Sequence, residues 1–358
     1  MDYDSSDGGA KMGPMLAVAG LALLALALGD AITTTLRAGR RGGPVTRLVA
    51  GLLWRGLRSL RRWGSRLPPS NLAGVIVTLS VVAFWIAMMI VGWFLLFSSS
   101  PRAVLDAVTG QPAGSLARFY FAGYAVFTLV FGDLRPSGTL WQTCTLLAAG
   151  SGLFLTTIAI TYLIPLTTSA SQKRQLARVI SGLGRNPADV VIKGWSGKDF
   201  RALEGWLSSL TPMLTRLAEH HLAYPMLHFF HTADRDPALA PSIAVLDEAL
   251  LLLGVIVDDE IRPSPLILDP PRAAIGALLA TMPEAYLSTA EEPPPIPDLA
   301  FLDEHGIPHR PLDDTRSAFA GAAGRRRQLL SLVHHEGWTW DAVIPVSASL
   351  RRPWPGVT

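Results

Sequence analysis

Three long runs without charged residues dominate the first half of the sequence. They cover Met12–Gly29, Leu72–Phe97 and Trp141–Leu166. About 20 apolar residues cross the hydrocarbon core of a bilayer as a helix, and longer stretches do so with tilt. A fourth apolar run, Phe119–Gly132, has only 14 residues and lies between two of the spans. The pattern predicts an all-α membrane protein with three transmembrane helices and a re-entrant segment before the third.

The basic residues predict how these helices are oriented. Nine Arg and no acidic residue lie between Arg37 and Arg66, and a second basic stretch begins at Lys173. The positive-inside rule assigns both stretches to the cytoplasm. We therefore expect a multi-pass protein of the inner (plasma) membrane with a cytoplasmic C-terminal domain. The first run is also compatible with a signal peptide, because Ala25–Ala27 resembles a cleavage site, although its acidic N-terminus is untypical.

The linker between the first two spans has helical periodicity. Apolar residues from Val45 to Leu60 recur every three or four positions. The arginines Arg47, Arg55, Arg58 and Arg62 lie off this stripe. Such a basic amphipathic helix is typical of a segment that lies on the anionic inner leaflet. A cytoplasmic helix packed against the rest of the protein would have the same pattern.

Composition separates two halves and excludes several classes of protein. The first 170 residues carry 13 Lys and Arg against 6 Asp and Glu, whereas the remainder carries 18 against 22. An acidic soluble half lacks the basic patch that nucleic-acid binding requires, so no nucleic-acid partner is expected. The single cysteine, Cys144, excludes an intrachain disulfide framework and a zinc site with several Cys ligands.

The hydropathy and Pro content divide the chain into five segments. These are an N-terminal transmembrane helix (1–36), a basic cytoplasmic linker helix (37–70), a membrane domain that contains the short apolar run (71–170), a helical cytosolic domain (171–290), and a Pro-rich linker with a C-terminal tail (291–358). Within the cytosolic domain, the helical pattern around residues 198–231 is expected to break at Pro212 and Pro225. The apolar segment Ala249–Val257 is too short to span and is expected in a core.

Histidines cluster in the cytosolic domain. They are His220, His221, His228 and His231. Three interpretations stay open: structural histidines beside aromatic residues, a proton or ligand sensor, or a site for a divalent metal. No nucleophile–base pattern or metalloprotease motif occurs, so we expect neither an enzyme nor a cofactor.

The short apolar run ends in a motif with a recognisable chemistry. An aromatic stretch leads into Thr128-Leu129-Val130-Phe131-Gly132-Asp133 and then a Pro. Over roughly residues 71–168 this arrangement resembles the potassium channel superfamily, in its bacterial type with one pore loop between two helices. The family signature is Thr-Val-Gly-Tyr-Gly-Asp, whose backbone carbonyls replace the hydration shell of the ion. Val130 stands in the position of the first glycine, where backbone with positive φ is required.

The resemblance implies that residues 71–170 form an ion-channel pore domain, and it predicts a filter, a gate and an assembly. The filter would comprise Thr128, Leu129, Val130, Phe131, Gly132 and Asp133, and the permeant ion would be a monovalent cation, with K+ expected. Gly150, Gly152 and Pro165 in the third span are candidates for a gating hinge, although glycine there also suits close helix packing. A single pore loop per chain implies a homotetramer. Because of Val130, K+ selectivity is not fixed, and a non-conducting membrane sensor or scaffold on the channel fold is the alternative.

Overall fold

The computed structural model of the protein describes residues 6–36, 42–62, 70–129, 131–311 and 315–345. These residues form two compact units. The first contains the N-terminal helices, Ala73–Leu166 and Tyr224–Phe229. The second contains Thr167–Ala223 and the chain from Phe230 onwards.

Long helices and a short antiparallel ribbon build the first unit. In chain order they are α1 (Ser6–Thr35), α2 (Pro44–Arg62), α3 (Ser70–Ser98), β1 (Val104–Asp106), α4 (Ser115–Val126), β2 (Leu134–Pro136) and α5 (Gly138–Leu183). The 46 residues of α5 begin in the first unit and end in the second. Strands β1 and β2 pair with Leu105 opposite Arg135, which joins the chain before α4 to the chain that follows it.

Four helices among the described residues are long and apolar enough to cross a membrane. They contain Met12–Thr35, Leu72–Ser98, Gly138–Leu183 and Leu239–Ile256. The first three coincide with the runs that the sequence analysis identified, and they agree with a helical membrane protein. The fourth is not among the spans predicted from the sequence, and 89% of Leu239–Ile256 is buried inside the protein. Its apolar composition is therefore accounted for by a protein core.

Helices α1 and α3 approach each other closely because glycine lies at their contact. A Cβ atom on Gly20 would lie 2.7 Å from the carbonyl oxygen of Gly92, and one on Gly92 would lie 2.8 Å from the Leu24 side chain. Small residues let membrane helices approach until their backbones are in van der Waals contact. This packing explains why α1 has glycine at position 20 and α3 has glycine at position 92.

The second unit is a helical domain built around α8. Its helices are α6 (Pro187–Gly194), α7 (Arg201–Ala223), α8 (Leu239–Leu251), α9 (Pro265–Thr281), α10 (Glu284–Leu287), α11 (Ala300–Glu304) and α12 (Thr315–His335). A π-helical turn, Leu252–Ile256, continues α8 and completes the fourth apolar helix. Helix α7 packs on α9, and α12 packs on α8 and α10. Helix α7 continues through Pro212, so the expected break there is wrong, whereas the chain does leave the helix before Pro225.

Two acidic residues in α8 are buried because α12 neutralises them. The Nε–H of Arg325 is shared between the two oxygens of the Asp247 carboxylate, each at 2.9 Å, and the Nε of Arg326 donates to the Glu248 carboxylate at 2.7 Å. A buried charge is tolerated when it is paired and hydrogen-bonded. Residues 291–358, which the sequence predicts as a linker and tail, thus supply α12 to the core of this unit.

Candidate functional site

The short helix α4 ends in a left-handed turn at Thr128. The amide of Thr128 donates to the carbonyl of Ala125 (3.1 Å), and the amide of Leu129 donates to the carbonyl of Tyr124 (2.8 Å). This pair of bonds is a Schellman motif, which satisfies the last carbonyls of the helix. The motif turns the chain sharply at the first residue of the proposed filter.

Thr128 has an unusual backbone conformation for its side chain. Its φ is +58°, and it is the one non-glycine residue with positive φ in the described parts of the chain. A β-branched residue there is an outlier, and such strain costs about 1–3 kcal/mol. The Thr128 hydroxyl donates to the carbonyl of Phe127 (2.7 Å), which helps to fix the turn. Strained backbone of this kind concentrates at functional sites.

After the turn the loop runs back along α4. The ring of Phe131 stacks on Tyr120 and packs edge-on against Tyr124, with both pairs of centroids 5.8 Å apart. The Tyr124 hydroxyl donates to the carbonyl of Leu134 (3.1 Å). Gly132, with φ of +78°, makes the second turn before β2. Helix and loop therefore form a hairpin, residues 115–133, with the aromatic rings between its two limbs.

The loop exposes apolar side chains. Phe127 and Leu129 are 49% exposed and Phe131 is 57% exposed. Together with Ile90 of α3 and residues of α4, the side chains of Leu129 and Phe131 line an open cavity of about 920 Å³. Val130 lies outside the described residues, so its expected positive φ stays a prediction. Several large apolar side chains exposed side by side usually mark a surface that is covered by a partner or by lipid.

The neighbouring helices hold the hairpin from behind. The ring of Phe97 in α3 packs edge-on against Phe121 in α4 (5.0 Å) and lies 6.1 Å from Trp141 in α5. The indole of Trp93 donates to the hydroxyl of Ser151 (3.0 Å). These contacts tie α3, α4 and α5 into one packed group, which fixes where the hairpin lies relative to its flanking helices.

The three gating candidates have different surroundings. A Cβ atom on Gly152 would overlap the carbonyl oxygen of Val126 at the end of α4, whereas one on Gly150 would meet nothing within 4 Å. Helix α5 continues as an α-helix through Pro165 to Leu183. Gly152 thus serves close packing in this structure, and a hinge at Gly150 or Pro165 stays a prediction.

The histidines of the sequence cluster do not share one helix face. His220 and His221 lie at the end of α7, His228 lies in a 3₁₀ turn, and His231 follows that turn. The ring of His221 is buried and its Nδ1 lies 3.0 Å from the carbonyl of Leu217. Burial lowers the pKa of His220, and the charge of Arg216 lowers it further. Within the described residues, no group of three His, Cys, Asp or Glu side chains could hold a metal ion.

A buried carboxylate near the end of α1, that of Asp30, is not among the site residues predicted from the sequence. Asp30 accepts hydrogen bonds from the amides of Val45 (2.7 Å) and Thr46 (3.0 Å), from the Thr46 hydroxyl (2.5 Å) and from the indole of Trp85 (2.8 Å). It therefore caps the N-terminus of α2 and also contacts α3. An acidic residue at the end of an apolar run is by itself a sign of function or of a fixed partner, and this signal was available in the sequence.

Removing the Asp30 carboxylate is expected to release α2. Asp30→Ala leaves two amides, a hydroxyl and an indole without their acceptor, so we expect a loss of roughly 2–4 kcal/mol in stability. Trp85→Phe removes one of these bonds and should cost roughly 1–2 kcal/mol. Thermal unfolding in detergent and the helical content by circular dichroism measure both effects. Equal losses in the two variants would contradict a central role for the carboxylate.

Comparison with known proteins identifies one relative over nearly the whole chain. The chain is 33% identical over 323 residues to a protein of Bacillus subtilis (strain 168) named uncharacterized membrane protein YdjJ. The alignment covers 90% of this chain and 94% of the relative. No family model matches, and no solved structure matches.

The name of the relative and the apolar helices of the structure agree. Three of the candidate spans are only partly covered by the protein. Between 28% and 39% of an 18-residue apolar stretch is buried in each of Met12–Thr35, Leu72–Ser98 and Gly138–Leu183. Apolar helices that the protein itself leaves uncovered require a nonaqueous environment. The chain is a multi-pass membrane protein that belongs to the same family as Bacillus subtilis YdjJ.

Proposed function

We propose that the protein is a tetrameric cation channel in which residues 115–133 form the pore hairpin. The observation that carries the proposal is the geometry of this hairpin: a helix of 12 residues, a left-handed turn at Thr128 and a loop that returns along the helix. A re-entrant segment buries irregular backbone in the membrane only where it lines a cavity or contacts protein. Carbonyl oxygens of such a loop are the groups that replace the water shell of a cation.

The exposed apolar surface supports an assembly of several chains. Phe127, Leu129 and Phe131 present large apolar side chains beside an open cavity, and Leu146 and Leu153 of α5 are 72% and 63% exposed. Copies of the chain around a fourfold axis would cover these surfaces and bring four loops together. A stable monomer or dimer by native mass measurement in nanodiscs would contradict the tetramer.

The proposal includes an orientation in the inner membrane with the second unit in the cytoplasm. The nine arginines between Arg37 and Arg66 support it through the positive-inside rule. Helix α2 would then lie at the anionic inner leaflet, with Arg47, Arg55, Leu48 and Leu52 exposed on its surface. Arg58 and Arg62 belong to the same basic set by sequence.

Substitutions in the loop test the proposed path. The protein is reconstituted in liposomes, and K+ and Na+ flux are compared. Val130→Gly should remove strain of roughly 1–3 kcal/mol per chain and raise the preference for K+, or start conduction in a silent protein. Thr128→Ala removes the hydroxyl at the turn and should also change permeation. Val108→Gly is the matched control, because Val108 is 94% exposed in the turn after β1 and outside the hairpin.

Each outcome distinguishes one interpretation. If the wild type conducts and neither loop variant changes the flux, ions do not pass through this loop. If neither the wild type nor Val130→Gly conducts, a non-conducting sensor or scaffold becomes the better interpretation. One observation favours this second candidate, the sensor or scaffold. The Thr128 hydroxyl already donates to the Phe127 carbonyl, and the amides of Thr128 and Leu129 bond to α4, so this part of the loop serves as a helix cap.

A further inference from the structure

The part of α5 that belongs to the second unit has one buried and one exposed face. Lys173, Leu176 and Ile180 are buried on the side that packs against the rest of this unit. The exposed residues follow helical spacing on the other side; they are Ser171, Arg174, Gln175 and Arg178. Residues three and four apart are neighbours on a helix surface. We call these four residues the basic face of α5.

The basic face carries positive charge that the protein leaves available. With Val179 it lines an open cavity of about 610 Å³, whose lining residues include no carboxylate. Arg178 makes no hydrogen bond or ion pair with any described residue, and the one hydrogen bond of the Arg174 side chain runs to the hydroxyl of Ser171 (3.4 Å). Arginines elsewhere in this unit, such as Arg325 and Arg326, are paired with carboxylates.

A second cavity adjoins Arg178 but is less suited to an anion. It has a volume of about 430 Å³ and is lined by Arg178, Arg185, Arg235 and two aspartates. Arg185 is already paired with Asp236 at 3.1 Å. The other aspartate, Asp234, is exposed and would repel an anion. An anionic ligand is therefore expected on the Ser171 side of Arg178.

The distance along the helix favours a soluble ligand over a lipid. If α5 leaves the hydrocarbon core near Leu166, a rise of 1.5 Å per residue puts Ser171 roughly 7.5 Å and Arg178 roughly 18 Å beyond it. The polar layer of a bilayer is only about 5–8 Å thick on each side. Arg178 would then lie in water, beyond the reach of most headgroups.

We propose that the basic face of α5 binds a soluble anion that carries linked phosphate groups. Each guanidinium can bind one phosphate with two parallel hydrogen bonds, and Cβ atoms four residues apart on a helix are roughly 5–6 Å from each other. Two linked phosphates can thus engage Arg174 and Arg178 together, while Ser171 and Gln175 supply further donors. Pyrophosphate and nucleoside triphosphates have this chemistry.

The anion would also regulate conduction, a consequence that rests on the proposed function. Four chains would bring eight guanidinium groups to the cytosolic ends of the helices that flank the pore. Such a positive field lowers the local concentration of cations. A bound phosphate ligand cancels this field, so cation flux should rise when the ligand is present on the cytosolic side.

Binding is tested with purified full-length protein in nanodiscs of neutral lipid. Calorimetry with pyrophosphate and with adenosine triphosphate should detect binding that weakens at least tenfold in the double variant Arg174→Gln/Arg178→Gln. Arg178→Lys, which keeps the charge but loses the planar fork, should give an intermediate affinity. Arg201→Gln is the control, because Arg201 is exposed elsewhere in the same unit. This variant should bind pyrophosphate and adenosine triphosphate with the affinity of the wild type.

The possible results separate this inference from the channel proposal. Equal affinity of the wild type and the double variant, or no binding of either phosphate, overturns the phosphate site. The phosphate site is also overturned, and a lipid headgroup identified as the ligand, if neither phosphate binds in neutral nanodiscs while vesicles of anionic lipid bind the wild type more tightly than the double variant. Specific phosphate binding in a protein that conducts no ions supports the site and contradicts the channel instead.

Discussion

Replacing Gly152 by alanine is expected to destabilise the protein, whereas the same replacement at Gly150 is expected to stabilise it. A methyl group on Gly152 would overlap the carbonyl of Val126, a backbone atom that moves only if α4 moves. Overpacking of this kind costs roughly 1–3 kcal/mol. Gly150 has open space around its Cβ position, so alanine there gains roughly 0.5–1 kcal/mol from helix propensity.

The two variants form a matched pair on one helix. Thermal unfolding in mild detergent should show shifts of opposite sign, and the liposome flux of the Gly152 variant should change if the hairpin forms the pore. Shifts of the same sign and size would contradict the packing of α4 on Gly152. A change of gating in Gly150→Ala, without loss of stability, would support a hinge at that position.

Breaking the ion pair between Lys173 of α5 and Glu336, which directly follows α12, is expected to have the largest effect on stability in the second unit. The Nζ of Lys173 lies 3.2 Å from the Glu336 carboxylate and also donates to the carbonyl of Phe230 (2.9 Å), and both charged side chains are less than 10% exposed. Glu336→Leu leaves a buried, unpaired ammonium group and should cost roughly 3–5 kcal/mol.

A double variant distinguishes the pair from its packing. Lys173→Met/Glu336→Leu replaces both charges by apolar groups of similar size, and such replacements are often neutral or stabilising. The double variant should therefore be more stable than Glu336→Leu alone. Additive losses would show that the two side chains do not act as a pair. Asp236→Ala is the control, because the Arg185–Asp236 pair is about half exposed and should cost at most about 1 kcal/mol.

The same pair makes stability depend on pH in the acidic range. Burial alone would raise the pKa of Glu336, but the charges of Lys173 and His231 and the Ala240 amide outweigh it and leave the pKa below the ordinary value of 4.5. The unfolded chain therefore binds a proton more readily than the folded one. The contribution of Glu336 is complete above pH 4.5 and is lost as the pH falls through the lower, folded value. This acid-dependent loss should be absent in the double variant.

The three apolar spans, and the shorter apolar segment between the second and third of them, were accessible from the sequence because they depend on length and hydropathy. The three runs from Met12, Leu72 and Trp141 each exceed or approach the thickness of a bilayer, and Phe119–Gly132 does not. The left-handed turn at Thr128 was not accessible. Helix caps of this type usually have glycine at that position, and the sequence expectation of strain was directed to Val130.

Long-range partners account for most of the remaining differences. The acids Asp247 and Glu248 can be buried in α8 because Arg325 and Arg326, 78 residues later, contact them. Helix α7 tolerates Pro212 because its other face still packs on α9. In each case the helix is stabilised by a tertiary contact, which a local sequence pattern does not predict.

The Asp30 network has a consequence for the order in which the chain is made. The amides that donate to the Asp30 carboxylate, those of Val45 and Thr46, come 15 and 16 residues later in the chain, whereas the indole of Trp85 comes 55 residues later. At about 5–20 residues per second, the ribosome supplies the two amides within roughly 1–3 seconds and the indole only after roughly 3–11 seconds. The corner between α1 and α2 can therefore close first, so the nascent carboxylate is already satisfied when α3 enters the bilayer and docks.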